Sequence, residues 1–266
     1  LRSDQSRAIR LDAAVADRDG ITRSRARSLI MEGRVSVDGV VATKAGQNVA
    51  PDARIEVARP RRFVSRGGEK LDHGLTFFEV NVVDLEALDV GASTGGFTDC
   101  LLQRGARSVT AVDVGYGQLD WQLRNDARVR VMERTNFRHL PEDAFPAGFD
   151  LIVVDASFIS LRTLLARAVR YLRQNGSVVA LVKPQFEAGR DRVSAGGVVR
   201  DRETHRAVLH ELRAAVAGFG LVPVALTESP LRGPAGNREF LILLKRVGKP
   251  FEDARIEAVL DEGSDS

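Results

Sequence analysis

The chain has 266 residues, 44% of them hydrophobic, and a formal net charge of +3 at pH 7. That is enough apolar material for one sizeable α/β domain and a small second one, and it excludes wholesale disorder. No apolar run reaches the roughly 20 residues that span a bilayer, and the single cysteine, Cys100, excludes an internal disulfide framework and a cysteine-based zinc cluster, so no metal site is expected.

The charge is unevenly spread. Residues 1–66 carry 14 Lys and Arg against 8 Asp and Glu, a net of +6, whereas residues 67–266 carry 25 against 28, a net of −3. A basic module ahead of a mildly acidic one predicts that the first part meets a polyanion. A solubilising charged face is the simpler alternative. Leu1 to Arg10 is charged and lacks the apolar stretch of a secretory signal, so the cytoplasm is the expected compartment.

Residues 6–33 read as two short helices. RAIRLDAAVADR ends at Asp19-Gly20, and SRARSLIMEG is capped by Thr22 or Ser24 and stopped by Gly33. Val35, Val37, Val40 and Val41 then flank Asp38-Gly39, a two-residue hairpin signal, and ARIEVA supplies one more strand near Ala58. So small an α+β module is a binding platform rather than an active site. Its domain is placed at 1–58. Arg10, Arg23, Arg25, Arg34 and Lys44 are its candidate contacts to that polyanion, with ordinary solvated cations as the alternative for each. The Pro- and Arg-rich stretch 59–66 reads as the joint.

From residue 67 to 255 apolar strand-like runs alternate with helical stretches. The runs are 87–91, 108–114, 129–133, 149–155, 176–183, 221–227 and 238–245; 161–173 and 203–219 are among the helices. This pattern predicts a largely parallel doubly wound sheet. The last two runs are joined by the loop SPLRGPAGN rather than by a helix, which predicts a reversed final strand. Seven strands with the last reversed is the methyltransferase variant of the Rossmann plan. Residues 256–266 read as a C-terminal tail, with DEGSDS disordered.

The chemistry-bearing residues fall at strand ends. The first strand of the larger domain runs into Asp89-Val-Gly91-Ala92-Ser93-Thr-Gly95-Gly96-Phe97, a glycine loop that lets a ligand approach the backbone. Ser93 stands where a dinucleotide fingerprint would carry its second glycine, and no P-loop Lys-Ser/Thr pair follows. Asp113 ends the second strand about 20 residues on, where such folds place a carboxylate for ribose hydroxyls. Asn136 follows the third, where an adenine edge could be read; a surface turn is the alternative. The fourth ends in Asp155-Ala-Ser-Phe, without the Pro-Pro-aromatic motif of base-amine methylation. The fifth ends in Lys183, which closes an apolar run and is therefore partly desolvated. Lys70 and Glu239 are further charges whose role composition alone leaves open. Cys100, in the helix after the glycine loop, reads as a small buried hydrophobe rather than a nucleophile.

Taken together, SRARSLIMEGRVSVDG, VSRGGEKL, LDVGASTGGFTD, DVGYGQL, ERTN, SFISL and LVKPQFEAG resemble the TlyA (haemolysin-A-like) family over nearly the whole chain. The resemblance implies an S4-like RNA-binding domain joined to an FtsJ-like domain with a seven-stranded Rossmann-like methyltransferase sheet. It implies S-adenosyl-L-methionine as cofactor and 2′-O-methylation of ribose in ribosomal RNA. Cytidine is the implied nucleoside, and RNA of both ribosomal subunits, free or assembled, the implied substrate. Matching the motifs places a Lys-Asp-Lys-Glu tetrad at Lys70, Asp155, Lys183 and Glu239. Cofactor residues carry over to Gly91, Ala92, Ser93, Gly95, Gly96, Phe97, Asp113, Asn136 and Asp155. The family's Arg-x-Trp-Val joint is here Arg61-Arg62-Phe63-Val64, so Phe63 stands for a tryptophan implicated in cofactor binding and the indole N–H is lost.

The donor carries an electrophilic methyl, so such an enzyme has to align hydroxyl, methyl and sulfur and exclude water. One lysine would take the hydroxyl proton, the other would stabilise developing negative charge, and the carboxylates would hold both. Two other classes stand against this reading. A nicotinamide oxidoreductase is disfavoured by the missing second glycine. A non-enzymatic RNA-binding or membrane-lytic protein has no need of four convergent charges, and no long apolar or amphipathic segment suits a pore. No obligate protein partner is indicated.

Overall fold

The computed structural model describes residues 8–58, 62–194 and 196–262. It divides into two compact units, Leu1–Arg61 and Arg62–Ser266.

The first unit contains β1 (Ile9–Arg10), α1 (Leu11–Asp19), α2 (Arg23–Met31), β2 (Val35–Val37), β3 (Val40–Val41), β4 (Asn48–Val49) and β5 (Ile55–Val57). Gly20, at φ 63°, ends α1 in a left-handed turn, and the Thr22 side chain caps α2 by accepting from the Arg25 amide. β2 pairs antiparallel with β3 across the Asp38-Gly39 turn and with β5 on its other side. The first helix begins four residues later than its sequence suggests. Ile9 and Arg10 are extended instead, paired with Val49 and Asn48. Leu11, Val15, Ala26, Ile30 and Val35 are fully buried and form this unit's core.

The second unit runs α3 (Arg66–Phe77), β6 (Glu86–Val90), α4 (Gly96–Gln103), β7 (Ser108–Val112), α5 (Trp121–Arg124), β8 (Val129–Met132), β9 (Phe149–Val154), α6 (Leu161–Ala168), β10 (Leu172–Val182), α7 (Pro184–Glu187), α8 (Arg202–Gly218), β11 (Val222–Glu228), β12 (Phe240–Lys245) and α9 (Asp253–Glu262). Its seven strands lie in the order β11-β12-β10-β9-β6-β7-β8. β12 alone is reversed, antiparallel to both β10 and β11, while β10, β9, β6, β7 and β8 are parallel. The strands are apolar on both faces because helices cover both. Ile152 and Val154 of β9 pack into one cluster, and Leu151 and Val153 into the other, as period-2 alternation requires.

Three further boundaries differ from the sequence reading. Helix 161–173 stops at Ala168; a 3₁₀ turn, Val169–Tyr171, follows, and Leu172 already pairs with Phe149. The cause is tertiary: Tyr171 is 1% exposed, packs edge-on against Phe137 and Phe145, and donates its hydroxyl to the Pro141 carbonyl at 2.6 Å. The joint placed at 59–66 does not extend to 66. Arg59, Pro60 and Arg61 lie outside the described residues, but Phe63 is buried in the second unit and α3 starts at Arg66. The tail placed from residue 256 is helical to Glu262, because Ile256, Val259 and Leu260 are buried against the sheet unit's core; residues 263–266 lie outside the described residues.

Candidate active site

The glycine turn after β6 is built by close backbone approach. Gly91 has φ 86°, its amide donates to the Val112 carbonyl at 2.9 Å, and a β-carbon on it would stand 2.4 Å from the Asp155 carbonyl oxygen. Ser93 adopts φ 49°, the left-handed conformation that glycine would take more readily. Its amide donates to Asp113 Oδ2 at 2.8 Å, and the Gly115 amide donates to Oδ1 at 2.7 Å. Asp113 therefore ties the first and second strand-end loops together. Between these loops and the ends of β8 and β9 lies a cavity of about 490 Å³. Gly91, Ser93, Asp113, Asn136 and Asp155 line it, with Val112, Val114 and Phe137 among its apolar walls. The Asn136 side chain accepts from the Arg138 amide at 3.1 Å and so starts the 3₁₀ turn that carries Phe137.

The four expected catalytic charges form two pairs. Lys183 Nζ lies 2.6 Å from Asp155 Oδ1 and donates to Ser157 Oγ at 3.0 Å. Lys70 Nζ donates to Glu239 Oε2 at 2.5 Å, and both residues are almost fully buried. Register brings the pairs to one edge. Val182 of β10 is paired with Phe240 of β12, so Lys183 and Glu239 are each one residue beyond that last pair. Ala180 of β10 is paired with Val154 of β9, so Asp155 stands one residue beyond that one. Lys70 reaches the same edge from α3, whose Gly74 packs on Leu241 of β12. Two buried or half-buried ion pairs are costly to assemble; they are held at the carboxyl edge of a parallel sheet, where ligands bind.

Two neighbours were not singled out as site residues from the sequence. Asp89 is fully buried and accepts from Thr98 Oγ1 at 2.7 Å. Burial pushes its carboxyl up to about 7; the Thr98 hydrogen bond opposes the rise, and the charges of Asp155 and Asp113 add to it. Phe158 takes φ 64° and is 92% exposed at the cavity rim, its ring centroid 5.2 Å from that of Phe186. A bulky residue held in the left-handed region and in solvent is uncommon, and such strain gathers at ligand sites. The signal present in the sequence was an aromatic beside a strand-end carboxylate and serine.

The remaining expected residues take other positions. Ala92 lines a small adjoining pocket with Ser93 and Asp113. Gly95, Gly96 and Phe97 shape the turn and the start of α4 without lining the cavity; a β-carbon on Gly96 would stand 2.2 Å from Ser65 Oγ. Phe63 is 2% exposed and also lies outside the cavity lining. It packs over Gly68, with the Arg62 guanidinium 4.7 Å from its ring centroid. Cys100 is fully buried, and burial pushes its thiol up to about 12.

In the first unit, Arg10 and Arg23 converge with Arg27 on the buried carboxylate of Asp12, at 2.9 to 3.1 Å. Arg25 and Arg34 each pair with Glu32, Arg34 also donates to the Ala58 carbonyl at 2.6 Å, and Lys44 is exposed. Arg27 and its shared partner Asp12 were not visible as a group in the sequence, because the contact spans two helices.

One reversed strand in a seven-stranded sheet, with a glycine turn and a strand-end acid around a cavity, defines a Rossmann-type methyltransferase. Residues 63–246 match the FtsJ-like methyltransferase model, and residues 9–55 match the S4 domain model. The chain belongs to the FtsJ-like methyltransferase family, in its TlyA branch with an S4 domain. It is 44% identical to the 16S/23S rRNA (cytidine-2′-O)-methyltransferase TlyA of Mycobacterium tuberculosis, over 97% of this chain and 99% of that one. It is 39% identical to Hemolysin A of Brachyspira hyodysenteriae, over 88% and 98%. A solved structure from Streptococcus thermophilus, whose name places it among the hemolysins, is 39% identical and superposes with a TM-score of 0.74, over 97% of this chain and 96% of that one. Among the described residues, no helix is long and apolar enough to cross a membrane.

Proposed function

We propose that the chain transfers a methyl group from S-adenosylmethionine to a ribose 2′-hydroxyl of ribosomal RNA. The observation that carries this reading is the meeting of the Asp155–Lys183 and Lys70–Glu239 pairs at the edge of the sheet that also borders the cavity. The named relative from M. tuberculosis, similar over nearly its full length, supports cytidine in both ribosomal RNAs as the target.

The cavity fits the cofactor by size and by chemistry. Its volume of about 490 Å³ is in the range of cofactor sites. Asp113 offers a carboxylate for ribose hydroxyls, Val112, Val114 and Phe137 offer an apolar slot for a purine, and the bare backbone at Gly91 permits close approach. When bound, the cofactor supplies an electrophilic methyl on a sulfonium, so no covalent intermediate on the protein is needed. The chain's own residues then have two tasks. Asp155 and Lys183 hold the target hydroxyl beside the methyl and take up its proton, Lys183 being the acceptor because it borders the cavity through Asp155 and Ser157. Lys70, locked to Glu239 in a nearly dry setting, supplies fixed positive charge near the forming bond. Phe158 offers an exposed face on which an unstacked base can lie. The first unit, with Arg10, Arg23 and Arg27 presented together, binds the RNA backbone.

The test is to map 2′-O-methyl groups on ribosomal RNA treated with enzyme and S-adenosylmethionine. New 2′-O-methylcytidine is the expected product. Methyl groups found on bases instead, or on no RNA, would reject the assignment.

A further inference from the structure

We infer that Ser157 is a positioning residue for methyl transfer: its hydroxyl holds the Lys183 amine so that one direction of the nitrogen is left for the target hydroxyl. The inference rests on the reading of Lys183 as the group that meets that hydroxyl.

Among the described residues, Lys183 Nζ is ion-paired with Asp155 Oδ1 at 2.6 Å and donates a hydrogen bond to Ser157 Oγ at 3.0 Å. A lysine nitrogen presents three directions beyond its carbon, occupied by N–H groups or, in the neutral amine, by two N–H groups and a lone pair. The hydrogen bond to Ser157 fixes one of them, while Asp155 attracts the nitrogen by charge without hydrogen-bond geometry. A direction left open can receive a proton from the target hydroxyl or donate to an oxygen that is gaining charge. With Asp155 alone, the flexible lysine stem could turn about the ion pair and spend most of its time misaligned. Misplacement of a reacting group by about 1 Å costs on the order of a hundredfold in rate.

The fold builds the serine into this place. Ser157 follows Asp155 by two residues at the end of β9, and the next residue, Phe158, turns the chain through φ 64°. Ser157 and Asp155 line the cavity while the Lys183 side chain is only 12% exposed. Ser157 and Asp155 thus link the Lys183 amine, which is not itself among the lining residues, to the cavity. Its hydroxyl has no other hydrogen bond among the described residues, so the contact to Lys183 is its structural role as well as its chemical one.

The experiment compares Ser157→Ala and Ser157→Thr with the wild type in the full-length protein. Ser157→Ala is expected to lower kcat about tenfold or more, with KM for ribosomal RNA, the calorimetric Kd for S-adenosylmethionine and the melting temperature nearly unchanged. Ser157→Thr, which keeps the hydroxyl, restores most of kcat. Competitive acetylation of Lys183, read by peptide mass spectrometry, is expected to be several-fold faster in Ser157→Ala because the amine is less held. Wild-type kcat and acetylation rate in Ser157→Ala, or equal loss in both variants, would overturn the inference. Absence of ribose methylation by the wild type would instead strike at the functional reading, and the acetylation rates would still decide whether Ser157 holds the amine.

Discussion

The backbone of Gly91 passes so near Asp155 that a β-carbon on the glycine would stand 2.4 Å from the Asp155 carbonyl oxygen. One close approach thus couples the turn that borders the cavity to the strand end that carries Asp155, the carboxylate proposed to act in catalysis. Gly91→Ala would meet this clash and a left-handed φ of 86° together. A loss of about 1–3 kcal/mol in stability is expected, read by denaturant unfolding, with a larger loss of S-adenosylmethionine affinity, read by calorimetry. Wild-type affinity in a folded variant would show that the turn relaxes without disturbing the site.

Asp113 uses one oxygen for the Ser93 amide and the other for the Gly115 amide, while facing the cavity. Asp113→Asn keeps the shape but replaces an acceptor by a donor, which opposes one of the two amides. Cofactor affinity is expected to fall about tenfold, equivalent to about 1.4 kcal/mol. Calorimetry with S-adenosylhomocysteine measures it, and an unchanged Kd would place the ribose elsewhere.

Lys183→Ala removes the amine while leaving the strand and the cavity walls in place. A fall in kcat of about a hundredfold or more is expected, with cofactor and RNA affinity held within about twofold. Single-turnover methylation at saturating donor and RNA is the measurement. A folded variant that transfers methyl at the wild-type rate would reduce Lys183 to a strand-end cap.

Asp89 makes stability depend on pH. An aspartate in the unfolded chain ionises near 3.9, whereas burial holds Asp89 at about 7 in the fold. Between those values the unfolded chain has released its proton and the folded chain still binds it. Stability therefore falls as pH rises from about 4 to about 7 and levels off above, a cost of about 4 kcal/mol at most. Asp89→Asn removes this slope, so its gain in melting temperature over the wild type should grow between pH 5 and pH 8. A constant difference across that range would contradict the assignment.

Arg10, Arg23 and Arg27 share Asp12, which leaves three guanidiniums against one carboxylate. If they contact phosphates, Arg27→Gln should weaken binding to ribosomal RNA and lower the slope of log affinity against log salt by about one. Filter binding across a salt series measures both. An unchanged slope would leave Arg27 as part of the fold of the first unit.

The glycine turn, the strand-end acids and the helix caps were legible in the sequence because each is local. Asp38-Gly39 makes its hairpin, Thr22 caps its helix, and alternating apolar runs produce seven strands whose last is reversed. Two features were settled only by tertiary packing. Tyr171 ends a helix that its sequence would continue, because its ring fits between Phe137 and Phe145. Ile256, Val259 and Leu260 turn an expected tail into a helix, because they find a core to cover. The site divides the same way. Chain position predicted that Asp155 and Lys183 share a sheet edge, since both close neighbouring parallel strands. That Lys70 meets Glu239, 169 residues away, and that Ser157 holds Lys183, depends on side-chain contacts between elements that no local pattern encodes. The physical reason is range: turns and periodicity act over a few residues, whereas desolvated charges find their partners only after the sheet has assembled.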